Sequence, residues 1–519
     1  MNRSELLNLK KRVEKELVSL IKDLGKDGGF LSPSIYDTCQ YLRFMPPQDP
    51  MPTVEWLLEQ QQADGGWGNI NMPLSRDVPT VAAILALDPY QNHFARIKKA
   101  QQEGLNFIKT QKKFWQQIDE DELMVGVEII LPKLLHEAKG KNILLDDEHY
   151  EILMMSREKK LKLVEQLGPC PGTPIAFSWE AFDFLPDPLW FDASGSVGSS
   201  PAATIAWLKK AELIPELKEY VEQARSFLQQ AEKSTHYLSP RLLPFAWPVH
   251  HFEIIFSLFP MIQAGLDKID LLFPLIQNKS KLLFSEISKN GFGHNPFFIS
   301  GDVDDTAEGL EILSHLGFPV DKNILKVFIK DEKIFTYPGE LHASSSATAH
   351  AIHAMPNLEI NPTPFYDFLY SFQREDGCWK DKWHISEFYS TSHALIALKK
   401  ESSIAFDKGF NFLINSQNEN GSWGSSSQST YIETSYVILS LLELKTALPD
   451  LAKELNPALE KGFDFMLNNF HSKKSDTYPK QWVGKELFSI YRVDRSFELS
   501  CILRIILDKL TKMEEGKNE

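Results

Sequence analysis

Three aspartates crowd into four positions of the stretch SGDVDDTAE, residues 300 to 308: Asp302, Asp304 and Asp305. Carboxyl groups this close resist ionising together, so one of them can keep its proton and act as an acid. Taken alone, the motif favours a simpler interpretation, an acidic cap on a helix that begins near Thr306. A Ca²⁺ or Mg²⁺ site is a third interpretation, disfavoured because the Gly and terminal Glu spacing of an EF-hand loop is missing.

Helical periodicity dominates the chain on both sides of this cluster. Segments such as VEWLLEQQQ, VAAILAL, TAEGLEILSHLG and TSYVILSLLELK place apolar residues three or four positions apart. Strand-like alternation is scarce. The pattern therefore predicts an all-α fold.

A short phrase recurs between the predicted helices. It reads QADGGWG at 62 to 68, QREDGCWKD at 373 to 381 and QNENGSWG at 417 to 424, with a degenerate copy, SKNGFGHN, at 288 to 295. Its Gly can end a helix in the left-handed conformation, and its Trp can pack over the neighbouring helix. The repetition predicts helix hairpins stacked into rings, and the different composition between the first copy and the later ones predicts two helical barrels.

The length and the net charge limit the number of domains and the kind of partner. A chain of 519 residues suggests two or three domains. Its formal net charge of −15 argues against a nucleic-acid partner, because phosphate recognition needs a basic excess.

The cysteines and the apolar runs indicate the compartment. Cys39, Cys170, Cys378 and Cys501 lie far apart, which supports neither a disulfide framework nor a cysteine zinc site. The N-terminal stretch carries charges throughout, unlike a signal peptide, and no apolar run could span a bilayer. We expect a cytoplasmic protein whose membrane contact is at most peripheral, through apolar stretches such as 252 to 259.

Further motifs along nearly the whole chain carry a family resemblance. They include DVPTVAAILAL at 77 to 87, GSSPAATIAWL at 198 to 208, DKWHISEFYSTSHA at 381 to 394 and WVGKELFSIYRVDRS at 482 to 496. Together with the Asp-x-Asp-Asp signature at 302 to 305, they resemble the class II terpene cyclases, which contain the copalyl-type diphosphate synthases and, more distantly, the squalene-hopene cyclases. The motifs favour the diterpene-type branch.

The resemblance implies a βγ architecture of two α-helical barrel (α/α toroid) domains, with γ inserted after the first helix of β. Residues 1 to 25 and 245 to 519 would form β, residues 26 to 244 would form γ, and the active site would lie between them. The implied activity is protonation-initiated cyclisation of a linear C15 to C20 isoprenoid, with a geranylgeranyl chain favoured. The head group would be retained, since no DDxxD motif for its ionisation is visible.

The resemblance also implies roles for individual residues. Asp304 would donate the proton, while Asp302 and Asp305 would tune and orient it. Aromatic side chains stabilise a carbocation without trapping it. The similar motifs offer these residues to line the cavity: Trp179, Phe245, Trp247, Tyr337, Trp383, Phe388 and Tyr389.

A diphosphate head group would need cations, which the same motifs supply as Lys382, Lys485, Arg492 and Arg495. No cofactor is obligatory and no metal ligand is assigned, although Mg²⁺ would accompany a diphosphate. The segment CQYLRFMPP after YDT departs from the family, so a prenylated aromatic acid in meroterpenoid synthesis stays open as the substrate.

The sequence offers several candidates for the base that ends the reaction. Relatives that make the ent-type product carry a His where this chain has Phe177, in the stretch AFSWEA at 176 to 181. This departure puts both the ent stereochemistry and that base in doubt. The alternatives are His250, His251, His342, His350 and His384.

Three other interpretations compete with this one. Stacked hairpins would also suit a non-catalytic helical-repeat scaffold, but that function explains neither the aspartates nor the aromatic residues. A protein prenyltransferase β-subunit would need a zinc site of Asp, Cys and His. A squalene-type cyclase would be longer, with more Trp-bearing repeats. The expected partner is a small-molecule isoprenoid, and the expected assembly is a monomer or a homodimer.

Overall fold

The computed structural model describes residues 1 to 519 except 117, 119–125, 165–167, 238, 339, 341–342, 426–428, 471–477 and 516–519. The helices of this described part are α1 (Arg3–Asp23), α2 (Ile35–Phe44), α3 (Met51–Glu59), α4 (Asp77–Leu87), α5 (Ala95–Thr110), α6 (Lys112–Trp115), α7 (Val127–Gly140), α8 (Glu151–Val164), α9 (Pro174–Phe177), α10 (Pro201–Ala211), α11 (Lys218–Lys233), α12 (His250–Gln263), α13 (Phe273–Glu286), α14 (Val303–His315), α15 (Ser345–Ala354), α16 (Tyr366–Tyr370), α17 (Glu387–Ala397), α18 (Ile404–Asn415), α19 (Tyr431–Ala447), α20 (Ala452–Asn469) and α21 (Tyr491–Glu515). The strands form two short antiparallel hairpins, β1 (Ile329–Lys330) with β2 (Lys333–Ile334) and β3 (Trp482–Val483) with β4 (Leu487–Phe488). The predicted all-α fold is confirmed.

The C-terminal helices form a closed ring. Helices α12, α14, α15, α17, α19 and α21 each pack against the next, and α21 closes on α12. Outside this ring lie α13, α16, α18 and α20, with α1 packed against α21. A smaller ring contains α2, α4, α7 and α10, with α5, α8 and α11 against its outer side.

The hydrophobic cores follow these two rings. One core joins residues 6 to 31 with residues 246 to 510, so α1 belongs to the C-terminal barrel although it begins the chain. Two further cores fill the N-terminal barrel. One of them includes Val483 and Leu487 from the β3–β4 hairpin, which therefore links the barrels. The domain boundaries at residues 25 and 245 stay a prediction.

The recurring turn has one geometry in all three intact copies. In each copy the Gly has a positive φ and the Trp is fully buried: Gly65 with Trp67, Gly377 with Trp379, and Gly421 with Trp423. Each indole N–H donates to the backbone carbonyl ten residues earlier, at 2.7 to 2.9 Å. Each Trp backbone N–H donates to a Thr hydroxyl of the next inner helix, at 2.9 to 3.0 Å. The turn thus fixes one inner helix per copy.

The structure bears on the predicted membrane contact and on the state of the cysteines. The apolar stretch 252 to 259 lies in the inner helix α12 and is largely buried, so it offers no surface for a membrane. Among the described helices, none combines the length and the hydropathy that crossing a bilayer requires. Cys39, Cys378 and Cys501 are buried and form no disulfide among the described residues.

Candidate active site

The degenerate copy of the turn positions the three aspartates. Phe292 takes the place of the Trp, and its N–H donates to Thr306 Oγ1 at 2.9 Å. Its carbonyl accepts from the N–H of Asp302 at 2.8 Å. Gly291 has a φ of +85°, and a Cβ at this position would collide with Thr306 Oγ1. The turn therefore holds the chain at the first residue of the acidic motif and just after its last residue.

Helix α14 begins at Val303, three residues earlier than the sequence suggested, which places Asp304 and Asp305 in its first turn. Asp302 is the N-cap, and its side chain accepts from the N–H of Asp305 at 2.8 Å. The cap interpretation and the acid interpretation are thus compatible, because Asp302 and not Asp304 forms the cap.

Burial controls the charge of this cluster. The exposed fractions of Asp302, Asp304 and Asp305 are 6%, 8% and 2%. Burial raises the pKa of Asp302 to about 7. Burial, followed by the charges of Asp302 and Asp304, raises the pKa of Asp305 well above its ordinary value. The cluster therefore holds protons at neutral pH, as an acid that works in water-excluded surroundings must.

Asp304 contacts His350 inside the ring, and His350 in turn contacts His393. His350 Nδ1, on α15, lies 2.5 Å from Asp304 Oδ1, and His350 Nε2 lies 2.7 Å from Nδ1 of His393, on α17. Burial, followed by the neighbouring histidines, lowers the pKa of His393 well below its ordinary value, so that ring is neutral. When His350 donates its Nδ1–H to Oδ1, the other oxygen of Asp304 is left to carry an acidic proton.

The three aspartates form part of the wall of a cavity. The remaining wall is mostly aromatic and comes from both barrels, with Phe177, Phe245, Phe252, Trp383, Trp482 and Phe488. A carboxylic acid on an aromatic wall suits the protonation of an apolar substrate, since the rings stabilise a cation and expose no nucleophile.

Comparison with known proteins identifies the family. The chain is 36% identical to the (+)-kolavenyl diphosphate synthase of Herpetosiphon aurantiacus, over 95% of this chain and 98% of that protein. Residues 343–447 match the model of the squalene-hopene cyclase C-terminal domain. The chain belongs to the class II terpene cyclases. The predicted membership is confirmed, and the protein is an enzyme of this class.

More distant relatives agree with this assignment. The cyclase is 26% identical to the terpentedienyl-diphosphate synthase of Kitasatospora griseola, over 89% of this chain and 95% of that one. The solved structure of ent-copalyl diphosphate synthase from Streptomyces platensis superposes with a TM-score of 0.77 at 22% identity, over 95% of this chain and 99% of that chain. That superposition supports the predicted fold.

Some of the residues predicted for substrate binding do meet in the cavity of the cyclase. Tyr337, Trp383 and Lys485 line it. The Lys382 ammonium lies 5.2 Å from the centre of the Trp383 ring and forms an ion pair with Glu340. Lys382 thus lies beside the wall and not on it.

Other predicted residues lie away from the cavity wall. Trp179 is buried in a core of the N-terminal barrel. Phe388 packs against Phe412 on the outer helix α18, with ring centres 5.7 Å apart. Arg495 forms ion pairs with Glu16 and Glu498, at 2.7 Å each.

Two more of the predicted residues lie behind the wall or beside it. Tyr389 stacks on His384 at 4.0 Å and lies behind Trp482, with ring centres 5.4 Å apart. Trp247 donates from its indole N–H to the carbonyl of Asp27. Resemblance to a family motif identifies a segment near the cavity. It does not identify which side chains of that segment reach the cavity, because that depends on the face of the helix they occupy.

The histidines also divide by location. His250 and His251 lie beside Glu286, His384 is buried against Tyr389, and His342 lies outside the described residues. Of these alternatives only His350 contacts an aspartate of the motif within the described part of the chain.

His294 is a cavity residue that the sequence interpretation did not include. Its ring lines the wall, and its Nε2 atom is buried with no hydrogen-bond partner among the described residues. Burial, followed by His251 and His250, lowers its pKa to about 3, so the ring is neutral. The available signal was its place in the degenerate turn SKNGFGHN.

Proposed function

We propose that this cyclase uses Asp304 to protonate the distal alkene of geranylgeranyl diphosphate and closes fused rings while the diphosphate stays attached. The observation that carries the proposal is the Asp304 carboxyl, hydrogen-bonded to His350 at 2.5 Å and facing an aromatic cavity. The name of the 36% identical relative, a diphosphate synthase, supports the head group.

Each part of the site has a role in the proposed reaction. Asp304 transfers a proton to the alkene, and the resulting tertiary cation migrates as the rings close. The hydrogen bond from His350 and the protonated state of Asp305 stabilise the new carboxylate. The aromatic wall stabilises the cation until a final proton is lost.

Lys485 is the proposed contact for the diphosphate. Its ammonium lies in the cavity wall, 2.6 Å from Glu180 Oε1 and 2.7 Å from Ser200 Oγ. The second carboxylate oxygen of Glu180 is buried without a hydrogen-bond partner among the described residues. Oxygen ligands are what Mg²⁺ prefers, so Glu180 would hold an Mg²⁺ ion, which would supply positive charge to offset that of the diphosphate. Proton transfer from Asp304 does not require it.

A prenylated aromatic acid is the second candidate substrate. It is favoured by the ion pairs that already engage Lys485 with Glu180 and Lys382 with Glu340, since these leave less positive charge for a diphosphate. Assays with geranylgeranyl diphosphate, farnesyl diphosphate and a prenylated dihydroxybenzoate, side by side, decide between the two head groups.

The test of the proposed acid is Asp304→Asn, with Asp304→Ala beside it. Both variants should stay folded and lose at least about 1,000-fold in turnover of geranylgeranyl diphosphate, because an amide is no proton donor at this site. The exposed Asp407→Asn serves as the matched control and should keep wild-type activity. Inorganic pyrophosphate released in step with product, or wild-type rates in Asp304→Asn, would refute the proposal.

A further inference from the structure

Two neighbouring histidines and a glutamate come together where α12 begins and α13 ends. His250 and His251 are the first two residues of α12, and Glu286 is the last residue of α13. Their candidate ligand atoms, one from each residue, all lie within 4.8 Å of one another. The sequence gives no sign of this cluster, because His251 and Glu286 are 35 positions apart.

The ring of His251 contacts an oxygen atom through each of its two nitrogens. Nδ1 lies 3.2 Å from the carbonyl oxygen of Gly293, and Nε2 lies 2.8 Å from Oε2 of Glu286. A neutral imidazole carries one N–H, so it can donate to only one of these oxygens. When the Nδ1–H donates to the carbonyl, the lone pair of Nε2 faces a carboxylate. That contact is favourable only when a cation, either a proton or a metal ion, lies between the two atoms.

His250 distinguishes a metal ion from a proton. Its Nε2 lies 3.8 Å from the same oxygen, Oε2 of Glu286, which is beyond hydrogen-bond distance. A proton joins two groups, whereas three converging donor atoms suit a metal ion. Around a tetrahedral Zn²⁺ ion with bonds of about 2.0 Å, ligand atoms lie about 3.3 Å apart. The distances of 2.8 Å for His251 and 3.8 Å for His250 bracket this value, so small rotations of the side chains would complete the site.

Two imidazoles and one carboxylate select the kind of metal. Zn²⁺ binds imidazole nitrogen and carboxylate oxygen, and sites of two His and one Glu keep a fourth position for water. Mg²⁺ prefers oxygen ligands and is disfavoured here. The exposure of the side chains fits such a site, with 1% for His251 but 18% for His250 and 29% for Glu286. An ion and its water can therefore enter from the side of His250 and Glu286.

Hydrogen bonds connect His251 to the turn that supports the aspartates. A backbone carbonyl that accepts from the second nitrogen of a metal-bound His fixes the tautomer and the ring orientation, and Gly293 supplies this contact. The backbone N–H of His251 donates to the carbonyl of His294 at 3.2 Å. Both carbonyls belong to the turn at residues 288 to 295, in which Phe292 contacts Thr306 after the acidic motif.

We propose that His250, His251 and Glu286 form a Zn²⁺ site that fastens α12 and α13 to the turn at residues 288 to 295. This inference goes beyond the proposed function and does not depend on it, because the ion takes no part in the proton transfer.

Binding of Zn²⁺ to the full chain tests the site. The protein carries no affinity tag and is first stripped of metal with a chelator, which is then removed by dialysis. Isothermal titration calorimetry near neutral pH should give one Zn²⁺ ion per chain, with a Kd of about 1 to 10 µM for three protein ligands and one water. Mg²⁺ should give no heat of binding at this site.

Two variants and a control locate the ion. His250→Ala removes one ligand and should weaken Zn²⁺ binding at least about 10- to 100-fold. Glu286→Gln should weaken it by a similar factor, and it keeps the test available if His250→Ala fails to fold. His136→Ala, at an exposed histidine of α7, is the matched control and should bind Zn²⁺ as the wild type does.

Hydrogen exchange measured by mass spectrometry tests the connection to the turn. Zn²⁺ should slow the exchange of backbone N–H groups in residues 288 to 295 at least about threefold in the wild type and in His136→Ala. The same concentration of Zn²⁺ should not slow it in His250→Ala.

Three outcomes would overturn the proposal. A wild-type Kd above about 1 mM would show that the cluster is not a Zn²⁺ site. Affinity retained in both His250→Ala and Glu286→Gln would place the ion elsewhere, as at the described cluster of Glu308, His350 and His393. Tight binding without slower exchange in residues 288 to 295 would show that the ion does not fasten the turn. None of these measurements uses cyclase activity, so a failure of the proposed function would leave them unchanged.

Discussion

At the scale of single residues, Asp302 links structure and charge. It caps α14 through the N–H of Asp305, and it is buried enough for its pKa to rise to about 7. The folded protein therefore binds the Asp302 proton more tightly than the unfolded chain does. Below pH 4 Asp302 is protonated in both states and does not change the free energy of unfolding. As the pH rises from about 4 to about 7, the free energy of unfolding falls, because only the unfolded chain releases this proton readily.

The substitution Asp302→Asn tests this pH dependence of the stability. Asn caps a helix about as well as Asp and carries no charge. We expect the stability of Asp302→Asn, relative to wild type, to increase by about 2 kcal/mol between pH 5 and pH 8, as measured by urea unfolding at both values. A stability difference that does not change with pH would contradict the raised pKa.

The sequence predicts the functional roles of some single residues but not those of others. Spacing alone singles out the three aspartates, because like charges at adjacent positions have a chemical consequence wherever they fold. The contact of Asp304 with His350 spans 46 positions and depends on two helices of the ring lying side by side. Glu308 lies three residues after the motif, yet only the structure shows that its carboxyl has no hydrogen-bond partner among the described residues.

At the scale of elements, the sequence predicts the geometry of the recurring turn, but it does not predict which parts of the site the turn positions. Gly followed by Trp predicts a left-handed helix end and a buried indole, and all three intact copies show both. The degenerate copy keeps the same backbone contact with Phe292 in place of Trp, through Thr306 at 2.9 Å. In this copy the turn holds the segment that carries the three aspartates.

A pair of glycine substitutions tests this support. Gly291→Ala adds a Cβ that collides with Thr306, whereas Gly317→Ala adds one at a similar φ of +82° with no atom within 4 Å. We expect Gly317→Ala to lower the free energy of unfolding by about 1 kcal/mol and Gly291→Ala by about 3 kcal/mol or more. Cyclase activity should fall only in Gly291→Ala, since only that turn holds the aspartates.

Equal losses of stability in the two variants, with activity retained in both, would show that the turn does not position the acid.

At the scale of the whole molecule, the two barrels are joined where the cavity forms. Glu486, in the β3–β4 hairpin, accepts the N–H groups of Ile35 and Tyr36 at 2.7 and 2.9 Å and so caps α2 of the other barrel. The two barrels and their helical class are predictable from periodicity and repeats. The cavity between them is not, because its walls come from segments that are hundreds of residues apart.

Removing this cap should loosen the cavity. Glu486→Ala leaves two buried N–H groups without an acceptor, so we expect a loss of about 2 kcal/mol in stability and a raised KM. Ser403→Ala removes the cap of the outer helix α18 and is the matched control. It should lower stability by about 1 kcal/mol and leave KM unchanged. A wild-type KM in Glu486→Ala would contradict the role of this contact in shaping the site.

The most direct measurement is the mass of the product formed in D₂O. The protein is first equilibrated in D₂O, so that Asp304 carries deuterium, and is then given geranylgeranyl diphosphate. We predict a cyclic product that retains its diphosphate and gains one deuteron, and no such product from Asp304→Asn. A product without deuterium, or one that has lost its diphosphate, would contradict proton transfer from Asp304 as the first step.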